Sequence, residues 1–360
     1  MSTILGQLTP RRLPISRLAG ANLAIWRTNV GFTTQRLHTS AIRFAEAPFK
    51  VNVKLVARLR KELQVPMNKA REALTQCNND YDKAYSWLEQ DALKSGAESA
   101  AKLADRSTQS GLVASVAFGE GNTPAKVGTR GGMIVLRCET DFVARNELFR
   151  NLATRIAASA ALGQHDSTTS QLATPEIVPV SVEQLLGQPL VNLAEEPAQS
   201  SETSSATVDA GMMDVIGKLK ENTVLHQASM FIPRTLPEEG WHPLVGVANH
   251  GGESPYTGKF GALLAMKYRM ASASATQHEK AAASEAMATL ATKLARMVVG
   301  FDPKYTDKNQ ARADNCADDQ STLLELPLLG HTDTIRAVMQ GMQKELGVEI
   351  KVTGFLRYAV

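Results

Sequence analysis

The residues with the most chemical potential lie together in Cys138-Glu139-Thr140-Asp141-Phe142-Val143-Ala144-Arg145-Asn146. A hydroxyl or carboxylate at Thr140 or Asp141 can accept the unpaired N–H groups of a helix's first turn. An aromatic ring at Phe142 would be held close to the rim of a rigid element. Bond-making chemistry is not indicated: no nucleophile–base pair with a recognisable local motif occurs in the chain. No Gly-x-x-x-x-Gly-Lys-Ser/Thr loop and no Gly-x-Gly-x-x-Gly is present, so the chain is not expected to bind GTP itself. Histidines 38, 165, 226, 242, 250, 278 and 331 show no metal spacing. Cys77, Cys138 and Cys316 are far apart, without a Cys-x-x-Cys pair. The expectation is no metal, no cofactor and no enzyme activity.

That stretch must be positioned by its neighbours. Met133-Ile134-Val135-Leu136 is an apolar run of strand length, and Phe149, Leu152 and Ile156 recur at helical spacing. Thr140 to Val143 therefore sits where a strand becomes a helix running from about 142 to 162. Phe142, seven residues before Phe149, falls on the same core stripe by spacing alone. Leu112–Phe118 reads as an earlier strand, joined to the second through the glycine-containing loop Gly119–Gly132, so an antiparallel hairpin is predicted. Gly131-Gly132 and Gly251-Gly252 read as turns.

The charge distribution separates a leader from a body. Residues 1–45 hold six arginines and no Lys, Asp or Glu. Without those six, 33 basic residues face 36 acidic ones, so the body carries a net charge of −3. A general nucleic-acid footprint needs a concentrated basic surface instead. The leader has the Arg-rich, acid-free composition of a mitochondrial transit peptide, with a basic RNA-binding arm as the other reading. No apolar run approaches the roughly 18 to 20 residues of a membrane span.

After the leader, residues 50–92 predict three short helices. Leu55, Leu59 and Leu63 form a first stripe, and Pro66 stops it. Ala70, Ala73 and Leu74 form a second; Asp80 caps a third with Ala84, Trp87 and Leu88. The three look like a ubiquitin-associated-type module. Residues 93–109 read as a linker helix, 110–162 as the first half of an α+β core, and 163–208 as a Ser/Thr/Pro-rich linker or insertion with little capacity to bury a core. The second core half, 209–302, carries a helix over Met213, Ile216 and Leu219 and strands over 223–232, 244–248 and 260–266. It ends in a long amphipathic helix over Glu279–Val299. A short polar excursion over 303–322 and a closing helix and strand over 323–360 complete the chain. The fold class is α+β: two related halves of antiparallel strands packed by helices.

These motifs together resemble the elongation factor Ts family, mitochondrial type. Glu139-Thr140-Asp141-Phe142-Val143-Ala144-Arg145-Asn146 is similar to the family's central motif. Val65 to Leu74, Ile216 to Asn222, Gly258 to Gly261, Val298 to Pro303 and the closing Val352-Thr353-Gly354-Phe355-Leu356-Arg357-Tyr358 continue the likeness. The resemblance implies a guanine-nucleotide exchange factor in the mitochondrial matrix. Its partner would be mitochondrial elongation factor Tu, GDP-bound or nucleotide-free, in a 1:1 heterodimer, with no direct nucleic acid or membrane contact. It implies that Thr140, Asp141, Phe142 and Val143 meet the partner, the ring entering a pocket of its G domain. It also implies a contact through Met67 and Asn68 of the N-terminal helices. There the family has Gly-Met-Met-Asp, and Pro66 and Asn68 replace the Gly and the second Met. Met67 alone reads equally well as core filler. The alternative function is a ubiquitin-associated-type adaptor acting through residues 50–92.

Overall fold

The computed structural model describes residues 50–63, 65–119, 123–163, 176–193, 206–233, 240–272, 275–313 and 321–360. The leader, Cys316, and the tracts 164–175, 194–205 and 314–320 lie outside the described residues, and the transit-peptide expectation lies there with them.

Two antiparallel sheets are stacked, each with helices on its outer face. In the first, β1 (Ser110–Phe118) pairs with β3 (Arg130–Cys138) from Ser110↔Cys138 to Phe118↔Arg130, as the predicted hairpin requires. β5 (Thr223–Ile232) lines the other edge of β3, β4 (Glu176–Pro179) lies outside β5, and β7 (Thr257–Gly258) adds to β1. The second sheet runs in the order β2 (Val127–Gly128), β6 (His242–His250), β8 (Phe260–Met270) and β9 (Val348–Ala359).

β1, β3 and β8 are buried on both faces over most of their length, which is why they read as nearly unbroken apolar runs. In β1, Leu112, Ala114, Val116 and Phe118 face α5 (Glu147–Leu162) and α7 (Val208–Leu219), whereas Val113 and Ala117 face the second sheet. In β8, Leu263 and Ala265 face the first sheet. Ala262, Leu264 and Met266 face α8 (Gln277–Phe301) and α10 (Ile335–Leu346). Thr276 and Glu279 close a reciprocal capping box at the start of α8.

This arrangement corrects the reading of two successive halves. β5 belongs to the second predicted half, yet pairs with β3 of the first; β2 of the first half joins β6 in the other sheet. The stretch 176–193 is also no passive insertion. It supplies β4 and α6 (Val182–Leu186, capped by Ser181), and Val180, Leu185 and Leu190 are buried in the first core. Gly131 and Gly132 do not turn; they lie inside β3. A Cβ on Gly132 would strike the Ala157 carbonyl of α5, so its absence lets helix and sheet approach closely.

Three helices open the folded chain: α1 (Val53–Leu63), α2 (Met67–Gln76) and α3 (Tyr81–Leu103), around Leu59, Ala70, Ala73, Leu74, Ala84 and Leu88. Asp80 caps α3 as expected, its carboxylate accepting from Lys83 N–H at 3.2 Å. α3 does not end near 92. It continues to Leu103, absorbs the predicted linker helix, and crosses α7 where Gly96 meets the Met213 backbone. Lys50–Val360 is accordingly one compact unit, undivided at 92 or 109. The excursion after α8 contains α9 (Lys308–Ala313), and its ends are pinched together where Lys304 N–H donates to Ser321 O at 2.8 Å and Leu323 N–H to Tyr305 O at 2.8 Å.

Candidate functional site

β3 ends at Cys138, and the chain enters a five-residue helix, α4 (Asp141–Arg145). Thr140 is extended (φ −122, ψ 154), and its hydroxyl accepts from Val143 N–H at 3.4 Å. The cap is thus Thr140; the alternative, Asp141, stands inside the first turn. There its charge complements the positive end of the helix. The Asp141 carboxylate accepts from Lys259 Nζ at 3.0 Å and from Arg145 at 2.7 Å. The Lys259 hydrogen bond holds its pKa below the usual carboxylate value, with the lysine's charge and Arg145 adding to the effect.

Val143 and Ala144 turn inward and join the first core, whereas Phe142 is 88% exposed. The core position predicted from its spacing to Phe149 is wrong. The predicted single helix is two: Asn146 is extended (φ −65, ψ 137), closing α4 and opening α5, where its Oδ1 accepts from Leu148 N–H at 2.9 Å. That break resets the helical phase, so a seven-residue spacing across it no longer means one face. Phe149 is fully buried and Phe142 stands out from the surface.

The turn is braced from beneath by a second turn, between α7 and β5. Glu221 accepts from Thr140 N–H at 3.1 Å and from the Thr140 hydroxyl at 2.7 Å. Glu139 accepts from Asn222 N–H at 2.7 Å and lies 3.5 Å from Arg106. The Asn222 amide donates to the carbonyls of Arg106 and Ala104, at 2.9 and 3.3 Å. Sequence reasoning assigned no role to Glu139, Glu221, Asn222 or Lys259. Their only signal was that all four fall in stretches that share the family likeness, Glu139 in 139–146 and the others in 216–222 and 258–261.

Cys138 is buried under this joint. Burial, reinforced by Glu221, pushes its thiol up to about 12. In the native protein Cys138 is expected to resist iodoacetamide at pH 8, while the partly exposed Cys77 is alkylated; peptide mass mapping reads the difference. The unfolded thiol ionises near its ordinary value of 9.0 and the native one does not. Above that pH the unfolded state therefore holds fewer protons, and Cys138 subtracts stability progressively towards pH 12. Equal alkylation of both cysteines in the folded state would contradict the buried assignment.

A shallow cleft flanks α4, lined by Asp141, Arg145, Arg150, Glu253, Thr257 and Lys259. Its charges are paired, Arg150 with Glu253 at 2.8 Å and Asp141 with Lys259 and Arg145. Among the described residues no group of His, Cys, Asp and Glu is placed to hold a metal ion, and no helix is long and apolar enough to cross a membrane. Met67 and Asn68 open α2, behind Pro66, which gives no side-chain cap. Both are exposed, so Met67 is not core filler. α2 packs against α1 and α3, around a core cluster distinct from the one that Val143 and Ala144 join.

The site is therefore an exposed ring on a short helix that is clamped by caps and ion pairs, beside a charged cleft. No family model matches the chain. It is 32% identical to elongation factor Ts, mitochondrial, of Cryptococcus neoformans, over 98% of this chain and 93% of that protein. It is 36% identical to the protein of the same name from Laccaria bicolor, over 78% of each, and 31% identical to that of Nematostella vectensis, over 84% of this chain and 97% of that one. Likeness of this extent, in fungi and an animal alike, shows the family: the chain belongs to the mitochondrial elongation factor Ts family, and is a translation elongation factor of the mitochondrion.

Proposed function

We propose that the protein is the guanine-nucleotide exchange factor of mitochondrial elongation factor Tu, binding it 1:1 and speeding the release of GDP. The observation that carries this reading is the exposure of Phe142, 88%, on a turn whose backbone is capped from both sides. The ring stands in water on a short clamped helix, the most exposed of the large apolar side chains among the described residues. An aromatic anchor entering a partner's pocket accounts for that exposure. Thr140 and Val143 build the turn, Asp141 approaches the same partner surface, and Met67 and Asn68 make a second contact from the three N-terminal helices, which are ubiquitin-associated-like.

The protein performs no bond chemistry in this reading. It works by linkage: factor and GDP each bind Tu but disfavour one another, and the coupling is reciprocal. A thousandfold faster release corresponds to about 4 kcal/mol of barrier lowering. One buried aromatic hot spot, worth about 2 kcal/mol or more, supplies a good part. The remaining contacts supply affinity. The adaptor alternative finds less support, since α3 continues out of the three-helix region and docks against α7.

The test is release of a fluorescent GDP analogue from mitochondrial Tu, with and without the chain lacking its leader. Acceleration that saturates with factor concentration is expected; an unchanged release rate at micromolar factor would end the proposal. In the same assay Asp141→Ala is expected to slow release, by less than loss of the ring. Its melting temperature should barely move, because exposed ion pairs contribute little. A variant that loses only thermal stability would return Asp141 to a purely local role.

A further inference from the structure

The turn that carries Phe142 has little of its own to hold it. α4 is five residues long and buries only Val143 and Ala144. Isolated helices of that length do not persist. Its direction must be imposed from outside, and the imposing group comes from 81 residues away.

Glu221 reaches Thr140 with both carboxylate oxygens, one on the backbone N–H at 3.1 Å and one on the hydroxyl at 2.7 Å. The Thr140 hydroxyl thereby donates to Glu221 while accepting from Val143 N–H. One oxygen joins the external brace to the first turn of α4, and Phe142 lies within that turn. Glu221 is itself fixed. Lys220 ends α7 in the left-handed region (φ 58), its N–H bonded to Ile216 O, and β5 begins at Thr223, paired with Cys138. Between these two constraints Asn222 N–H donates the mirror contact to the Glu139 carboxylate at 2.7 Å. Two carboxylates thus exchange backbone caps across the β3–β5 seam.

Resting on the reading that Phe142 engages Tu, we propose that Glu221 is a positioning residue for nucleotide release: it fixes the Thr140 turn and so holds the Phe142 ring in its entry geometry before the partner arrives. A ring fixed beforehand loses little freedom on docking, so more of its contact energy is available to the exchange step. The brace acts through Phe142 and touches no partner.

A double-mutant cycle with the full leaderless chain and mitochondrial Tu tests this, reading the plateau rate of fluorescent-GDP release and the half-saturating factor concentration separately. Glu221→Ala removes two charge-assisted hydrogen bonds and is expected to lower the plateau about tenfold. Half-saturation should change less than about twofold, since the remaining docking surface is untouched. Glu221→Gln keeps one acceptor oxygen and is expected to recover part of the plateau. In a Phe142→Ala background, Glu221→Ala is expected to add nothing further. Circular dichroism melting accompanies every variant. Should Glu221→Ala not fold, Glu221→Asp keeps the charge, shortens the reach by one methylene, and carries the same expectation of a lower plateau.

An equal plateau loss from Glu221→Ala with and without Phe142 would overturn the positioning role, as would a normal plateau in a folded Glu221→Ala whose Phe142→Ala counterpart is impaired. If Phe142→Ala itself releases GDP at the unaltered rate, it is the underlying reading of the ring that fails.

Discussion

Phe142→Ala is expected to slow the plateau rate of GDP release from mitochondrial Tu about thirtyfold, the equivalent of about 2 kcal/mol for a lost aromatic hot spot. The folded protein should scarcely register the change. The ring is 88% exposed, so its removal leaves no cavity, and the turn's own supports are elsewhere, at Thr140, Glu221 and Asn146. Truncation there even removes an apolar ring from water. A melting temperature within about 1 °C of the parent is therefore expected alongside the kinetic loss. Phe142→Leu separates the two properties of the side chain. It keeps apolar volume but not the flat ring, and an intermediate rate is expected if the partner's pocket is shaped for an aromatic. Full release by a folded Phe142→Ala protein would remove the ring from the mechanism.

The largest effect on stability is expected at a residue with no side chain at all. Gly132 lies in β3, opposite Val116 of β1, with α5 laid directly across it. An added Cβ would collide with the Ala157 carbonyl and crowd the Ala161 backbone nitrogen and side chain. The obstacle is helix backbone, so no flexible side chain can swing away. Gly132→Val is expected to destabilise by about 3 kcal/mol or more, the upper end for overpacking a core. For a unit of this size, at about 2.1 cal/mol/K of unfolding entropy per residue, that corresponds to a fall of roughly 5 °C in melting temperature. Ala157→Gly cannot relieve the clash, since the carbonyl remains. Urea unfolding of the leaderless protein reads the effect, and a Gly132→Val melt indistinguishable from the parent would mean that α5 can slide off the sheet without penalty.

These two positions also mark how much of the molecule its sequence disclosed. Phe142 was found through the resemblance carried by Thr140 to Asn146, while its spacing to Phe149 placed it in the core. The misplacement has a local cause: Asn146, in extended conformation, serves as end of one helix and start of the next. Asn is a good cap, but a single capping residue inside a helical pattern does not announce a change of phase. Gly131-Gly132 carried the composition of a turn, and nothing nearby in sequence marks that α5 will be pressed against them.

What the chain alone determined was everything governed by periods of two and 3.6 residues. The apolar runs at 112–118, 133–138 and 260–266 became strands because both sheet faces are covered there. The stripe Ala283, Met287, Leu290, Leu294 and Val298 became the buried side of α8. Caps at Asp80, Ser181 and Thr140 lay where a short polar side chain precedes an apolar pattern. Only tertiary structure decided which strand lies beside which, so that β5 crossed into the sheet of β3, β2 into that of β6, and a carboxylate at 221 came to hold the backbone at 140. Periodicity is a property of neighbours in the chain. Pairing between distant segments is chosen by the best total burial and the best satisfaction of backbone groups, and a hydrogen bond spanning 81 residues leaves no local trace of its partner.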